Sequence, residues 1–125
     1  MGLKMIDWKE RRAFVFQEEI DMRRGFSWLA EVVRGQMQAN IMEGDLFLFL
    51  GRNPRRAKVL VFDGTGLVLV SKRLEKGRFQ RIVDFETRAE ISSDELRMIF
   101  QGTRINFTVQ RKDFCLAATT QMVRV

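Results

Sequence analysis

Three short apolar runs in the middle of the chain constrain the fold more than any other feature. They span residues 46–50, 59–62 and 67–70 and are separated only by two turns, at 51–56 and 63–66. These turns contain glycine, which permits positive φ angles, and proline, which cannot donate to a β-ladder, so a three-stranded meander is predicted. Each run is apolar at consecutive positions, which predicts that both faces of the sheet are covered.

A helix and two further strands are predicted from the flanking sequence. Apolar residues at helical spacing indicate a helix over residues 26–38, with Asp21 or Ser27 as its N-cap. Residues 13–17 predict a short strand, and the weaker alternation over residues 105–109 indicates another.

A second helix follows from a capping signal in the C-terminal half. Ser92 and Glu95 have capping-box spacing ahead of an apolar helical pattern, and Gly102 stands where that helix is expected to end. The predicted fold class is therefore α+β, with a small antiparallel meander sheet, a long helix and a shorter later helix. A chain of 125 residues with 46% hydrophobic residues is expected to form one domain over residues 1–125.

The composition indicates in which cellular compartment the protein is expected. No apolar run has the length of a signal-peptide core or of a membrane span, so we expect a soluble protein without a membrane partner. The single cysteine, Cys115, suits a reducing cytosol and is interpreted as a small buried hydrophobe.

Histidine is absent, which removes the commonest general base and the commonest zinc ligand. We therefore expect no enzyme activity, no catalytic residues, no cofactor and no metal. A magnesium-dependent nuclease that uses only carboxylates remains compatible with the composition. The spacing of the carboxylates Asp21, Asp63 and Glu75 does not require a metal.

The net positive charge is concentrated in one segment. Residues 52–81 carry nine Lys or Arg against two acids, a net charge of +7, while the whole chain has 22 basic and 16 acidic residues. The rest of the chain is therefore nearly neutral. Charge concentrated in this way commonly has an anionic partner.

The meander predicts where these charges meet. Its first strand ends at Leu50, its second begins at Lys58 and its third ends near Lys72, all at one end of the sheet. Counting back from the 63–66 turn pairs Phe62 with Leu67, which sets the register of the whole hairpin. The predicted phosphate-binding residues are Arg52, Arg55, Arg56, Lys58, Lys72 and Arg73, flanked by Lys76 and Arg78. A solvated face that only confers solubility is the alternative interpretation.

Several short stretches of the sequence, in their order along the chain, resemble a known family. They are residues 21–26 (DMRRGF), 46–49 (LFLF), 58–60 (KVL), the Asp63-Gly64 pair and, most specifically, 72–79 (KRLEKGRF). Residues 14–105 resemble the accessory TnpB protein, the second open reading frame product, of IS sixty-six type bacterial insertion sequences. Residues 106–125 would then form a C-terminal extension.

The resemblance implies a small non-catalytic factor for DNA transposition, with the cognate transposase and other element-encoded proteins as partners. It also implies a bacterial cytoplasmic location, associated with the nucleoid when the protein is bound to DNA. The matching signature positions, whose individual roles the resemblance leaves unassigned, are Asp21, Met22, Arg23, Gly25, Phe26, Asp63, Gly64, Leu74, Glu75, Gly77 and Phe79, together with Lys72, Arg73 and Arg78.

Two functions are consistent with these features of the sequence. The first is binding of DNA phosphates, without sequence specificity, through the basic end of the sheet. The second is a protein-interaction subunit that docks on the transposase and does not contact DNA itself, with charge serving orientation.

Overall fold

A computed structural model describes residues 8–107, and the predicted meander lies at its centre. Strands β2 (Leu46–Leu50), β3 (Arg56–Phe62) and β4 (Leu67–Arg73) pair antiparallel in succession. The hairpin pairs Phe62 with Leu67 and Lys58 with Ser71. The register predicted from the turn is therefore confirmed, although β3 begins at Arg56, two residues earlier than expected.

The turn between β3 and β4 is organised by Asp63. Its Oδ1 atom accepts hydrogen bonds from Thr65 N at 2.9 Å, Thr65 Oγ1 at 2.9 Å and Gly66 N at 3.0 Å. These bonds, the first of them from the Thr65 amide, lower the pKa of Asp63 below its ordinary value. Gly64 has φ +104°, a left-handed conformation that glycine adopts without strain. Asp63 and Gly64 thus stabilise the turn, the first by its hydrogen bonds and the second by its positive φ angle.

The complete sheet is mixed, with strand order β4-β3-β2-β1-β5. Strand β1 (Ala13–Val15) runs parallel to β2, and β5 (Glu90–Ile91) pairs antiparallel with β1. The predicted α+β class and antiparallel meander are therefore confirmed, and the parallel β1–β2 pair is an addition that the sequence did not predict. A helical connection between these two strands returns the chain to the end where β1 began, which is how parallel neighbours are joined.

The predicted long helix is present with an altered second half. Helix α1 (Phe26–Glu31) continues into a π-helical turn at Val32–Gln36. Its N-cap is Gly25, which has no side chain to bond the first turn, so the expectation of Asp21 or Ser27 as N-cap was wrong. Asp21 instead accepts a hydrogen bond from the Arg23 amide at 2.9 Å.

The second helix, α2 (Ser93–Phe100), confirms the capping signal. The Ser92 hydroxyl accepts from Glu95 N at 3.0 Å, and a Glu95 carboxylate oxygen accepts from Ser92 N at 2.8 Å. Gly102 has φ +95° and its amide donates to Ile99 O, which ends the helix as predicted.

Both faces of the sheet are covered, as the apolar strands predicted. On one face, α1 and the π-helical turn after it bury Leu29 and Val33 against Phe47, Phe49 and Leu60. The opposite face packs against α2 and the segments around it, through the buried side chains Leu74, Phe79, Phe85, Ile91, Leu96, Ile99, Phe100, Ile105 and Phe107. The sheet is therefore the middle of three layers.

The last described segment is not a strand. Ile105 N donates at 2.7 Å to the Oε1 atom of Gln80, a buried side chain, and residues 105–107 pair with no strand in the described part of the chain. The predicted strand is thus absent over residues 105–107. Residues 108–125, which include Cys115 and most of the C-terminal extension, lie outside the described residues. Between residues 8 and 107, no helix is long and apolar enough to cross a membrane.

Candidate nucleic-acid interface

The strand register gathers basic residues at one end of the hairpin, as predicted. Arg56 lies directly opposite Arg73, and Ala57 opposite Lys72. Arg52 and Arg55 belong to the turn that precedes β3. Like charges directly opposite each other on neighbouring strands repel, so this end of the sheet favours an anionic partner.

Strand alternation divides the predicted cluster between the two faces of the sheet. Val68 and Val70 pack on the α2 face, so Lys72 follows them there, and its Nζ atom lies 5.6 Å from the centroid of the Phe100 ring. Arg56 and Arg73 lie on the opposite face with α1. The residues predicted as one site therefore do not form a single surface.

Lys58 is the largest departure from the expected arrangement. Its residue is only 8% exposed, and its Nζ atom donates a 2.6 Å hydrogen bond to the backbone oxygen of Arg24. Burial, and secondly the neighbouring Arg56, lower the pKa of Lys58 below its ordinary value, while Asp21 opposes the shift. Lys58 thus holds a loop in place and is not positioned at the surface for a phosphate.

The loop that Lys58 holds is seated on the turn after β2. Ile20 N donates to Leu50 O at 2.9 Å, and Arg52 N donates to Ile20 O at 3.0 Å. Gly51 lies so close beneath that a Cβ atom there would be 2.7 Å from Met22 Cγ and 3.0 Å from Arg56 O. A glycine at position 51 therefore allows the 20–24 loop to approach the basic turn.

This loop adds two arginines that the charge count over residues 52–81 could not include. Asp21 binds the Arg23 side chain through both carboxylate oxygens, with Oδ2 2.7 Å from Arg23 Nη2. That hydrogen bond is the main cause that lowers the pKa of Asp21, and Arg52 contributes more weakly. The Arg24 guanidinium stacks over Trp28, 4.9 Å from the ring centroid. The DMRRGF string was the available signal, and it was interpreted only as a family signature.

We define the arginine face as Arg23, Arg24, Arg52, Arg56 and Arg73, all exposed. Three of them, Arg23, Arg52 and Arg56, line one cleft of 390 Å³ together with Asp21 and Asn53. Arg23 pairs with Asp21 and Arg73 with Glu75. Within residues 8–107, Arg24, Arg52 and Arg56 form no salt bridge, so three of the five charges are not paired with a carboxylate.

The remaining predicted cations lie around an exposed loop beside this face. Leu74 N donates to Arg55 O at 2.8 Å and Phe79 N donates to Pro54 O at 2.8 Å, which fixes both ends of the loop. The Arg55 side chain donates to Glu75 O at 3.1 Å. The exposed residues of the loop are Glu75, Lys76, Gly77 and Arg78.

A separate groove among the described residues is different in character. It has a volume of 730 Å³ and is lined in part by Phe14, Met37 and Phe47. Its one arginine is paired, since Arg12 lies 2.9 Å from Asp45 and 3.2 Å from Glu43, and Glu18 adds a further acid. The groove therefore lacks the unpaired arginines that distinguish the arginine face. No group of three or more His, Cys, Asp or Glu side chains is placed to hold a metal ion within residues 8–107.

Comparison with known proteins decides the family. The model of the IS66 Orf2 like protein family, also called TnpB_IS66, matches residues 11–110. The chain belongs to this family. The match includes the whole of residues 14–105, where the resemblance was predicted. Membership implies an accessory protein of an insertion sequence, in a family not known as a catalytic one.

Two curated relatives share part of the sequence. The uncharacterized protein y4hO of Sinorhizobium fredii is 41% identical over 68 residues, which are 54% of this chain and 59% of the relative. The uncharacterized protein y4jC of the same organism is 34% identical over 68 residues, 54% of this chain and 58% of the relative. The chain thus spans less than two thirds of either relative. No solved structure matches it.

The structure gives most family signature residues a physical role. Leu74 and Phe79 are buried beside α2 and anchor the basic loop, in which Gly77 has φ +79°. Asp21 and Met22 orient and seat the 20–24 loop. Phe26 differs from these, because 47% of it is exposed and it begins α1 next to the arginine face.

Proposed function

We propose that this accessory protein binds duplex DNA through phosphate contacts from the arginine face. The observation that carries the proposal is the opposition of Arg56 and Arg73 beside Arg52, with too few carboxylates nearby to neutralise them. A phosphate backbone supplies the missing counterions, and guanidinium groups bind phosphate oxygens in pairs. DNA transposition is a process in which such a protein meets duplex DNA.

The proposed contacts do not discriminate sequence. The arginines extend from a loop, a turn and two strand ends, and none lies on a helix that would enter the major groove. If about five phosphates are contacted, log affinity falls with log salt concentration at a slope near −4.5, from about 0.9 per contact. Lys58, which is buried, and Lys72, which lies on the other face of the sheet, are not counted among these contacts.

The test is charge reversal of the arginine face. The triple variant Arg52→Glu, Arg56→Glu and Arg73→Glu should abolish binding to a short DNA duplex, measured as affinity over a series of salt concentrations. The matched control reverses Arg34, Arg97 and Arg104, which are exposed and lie elsewhere, and changes the net charge equally. Retained affinity in the first variant, or equal loss in both, would contradict binding by this surface.

The second candidate function is docking on the transposase. The exposed Phe26 favours it, because a large exposed apolar side chain at a signature position has no core role. Phe26→Ala should then reduce co-purification with the cognate transposase at high salt after nuclease treatment. The same variant should keep its affinity for duplex DNA, which separates docking from phosphate binding.

A further inference from the structure

The outer edge of β4 is a candidate for pairing with another strand. Strand β4 is the last in the sheet order, and no strand in residues 8–107 pairs with its outer side. Residues 67–70 of it are half-buried and apolar. A strand edge that is partly apolar and contains no proline can pair with another strand.

The ladder to β3 determines which backbone groups point outward. Asp63 N donates to Gly66 O at 3.0 Å, and Leu74 N donates to Arg55 O at 2.8 Å. Hydrogen-bonded and non-hydrogen-bonded residue pairs alternate along two antiparallel strands. Every second residue of β4 between Gly66 and Leu74 therefore bonds to β3, and the residues between them direct their backbone groups away from it. The N–H and C=O groups directed away from β3 are therefore those of Leu67, Leu69, Ser71 and Arg73.

We propose that two copies of this chain pair through their β4 edges, antiparallel about a two-fold axis at Val70, to form a continuous ten-stranded sheet. In this register Leu69 faces the partner's Ser71 and Leu67 faces the partner's Arg73. All four outward residues of each strand then form hydrogen-bonded pairs. An isologous interface needs this kind of self-complementarity.

The charges favour a second copy in this orientation. Each strand has its cations, Lys72 and Arg73, at one end and the exposed Asp63 carboxylate in the turn at the other. Antiparallel pairing brings the basic end of one copy beside the Asp63 turn of the other, whereas a parallel pair would place like charges side by side. Asp63 stays ionised because the amides of its turn stabilise the carboxylate.

The pairing also arranges the two arginine faces. Leu67 and Leu69 pack on the α1 face, as does Arg73 by strand alternation, so both arginine faces lie on one side of the joined sheet. The two copies of Arg73 are six residues apart along the paired strands, which is about 20 Å at ~3.3 Å per residue. One face of the dimer thus carries two separated basic sites.

The first test is mass in solution, by light scattering on the full chain, with variants at Ser71. Ser71→Pro removes an outward N–H and leaves the bonds to β3, since proline is tolerated on an edge strand. The wild-type protein and Ser71→Val, which keeps the N–H, should have the mass of two chains, and Ser71→Pro the mass of one. A monomeric wild-type protein would overturn the proposal, whether residues 108–125 or another protein covers the edge.

A cross-link provides a test that does not depend on proline. In a Cys115→Ser background, Val70→Cys should form an interchain disulfide on mild oxidation, because Val70 faces the partner's Val70 in a close non-hydrogen-bonded pair. Val68→Cys is the matched control on the same face of the strand, since it faces the partner's Lys72, and should not cross-link. A dimer that Ser71→Pro leaves intact, or in which both cysteines react equally, would overturn the β4 interface.

Discussion

The Nζ atom of Lys58 lies 2.6 Å from the backbone oxygen of Arg24, 34 positions earlier in the chain. This bond joins the middle of β3 to the loop that presents Arg23 and Arg24. A buried cation of the sheet therefore acts as an internal support for the arginine face and is not itself a surface contact.

Replacement of Lys58 by methionine should loosen this support. The methionine side chain is also unbranched but one atom shorter, and the oxygen of Arg24 loses its donor, so we expect the free energy of unfolding to fall by about 1 kcal/mol. Duplex affinity should fall as well, although no exposed charge is removed. Chemical denaturation and a binding titration measure both effects.

Lys76→Met is the control for that change, because Lys76 is exposed and has no comparable bond. Its unfolding free energy should stay within about 0.5 kcal/mol of the wild-type value. Equal destabilisation by the two substitutions would contradict a specific role for the Lys58–Arg24 bond.

The lowered pKa of Lys58 predicts a pH dependence of stability. Burial is the main cause of the shift from the ordinary value of 10.5. At pH values between the folded and unfolded pKa, the unfolded chain binds more protons, so the free energy of unfolding rises with pH. The cost of burying the charge is fully present below the folded pKa and disappears above the unfolded one.

This effect is isolated by comparing the wild-type protein with Lys58→Met from neutral pH up to the ordinary lysine value of 10.5. The difference in unfolding free energy, wild type minus variant, should increase over that interval. A difference that stays constant or decreases would show that Lys58 has no lowered pKa.

The parts of the fold set by neighbouring residues could be predicted from the sequence. The 63–66 turn fixed the β3–β4 register, and Ser92 with Glu95 fixed the start of α2, since each signal acts within a few residues. Lys58 was misjudged because its partner is 34 positions away. Strand order likewise depends on distant segments, so the parallel β1–β2 pair was missed.

The candidate site was predictable to the same degree. Register correctly brought Arg56 and Arg73 to one end of the sheet. Side chains alternate between the two faces along β4, which assigns Lys72 to the other face. The prediction considered only the end of the sheet at which each charge lies and not its face. Arg23 and Arg24 join the site through contacts of their loop with Gly51 and with Lys58, which no local pattern indicates.

Gly51→Ala should disrupt that contact. Its Cβ atom would lie 2.7 Å from Met22 Cγ and 3.0 Å from two backbone oxygens, so the loop or the turn must move. We expect a loss of about 1–3 kcal/mol in unfolding free energy, as for other overpacked sites, together with weaker duplex binding. Thermal unfolding and the binding titration provide the measurements.

Gly35→Ala is the matched substitution, because a Cβ atom there meets nothing within 4 Å and the residue lies in a helical turn. It should leave stability unchanged or raise it by up to about 1 kcal/mol. If Gly51→Ala behaved like Gly35→Ala, the close approach of the 20–24 loop would have no energetic importance.

The last prediction separates anchoring from binding within residues 72–79. Phe79 is 2% exposed, and its ring lies 6.0 Å from the Phe100 ring, whereas Arg78 is exposed. Phe79→Ala should lower the free energy of unfolding by about 3–5 kcal/mol through the cavity that it leaves. Arg78→Ala should change it by less than about 0.5 kcal/mol.

The same variant tests a phosphate contact by Arg78 beside the arginine face. If this contact forms, Arg78→Ala should make the fall of log affinity for duplex DNA with log salt concentration less steep by about one contact, or about 0.9 in slope. Denaturation and salt titration of the two variants distinguish these roles, and an unchanged salt slope in Arg78→Ala would exclude its side chain from the DNA contact.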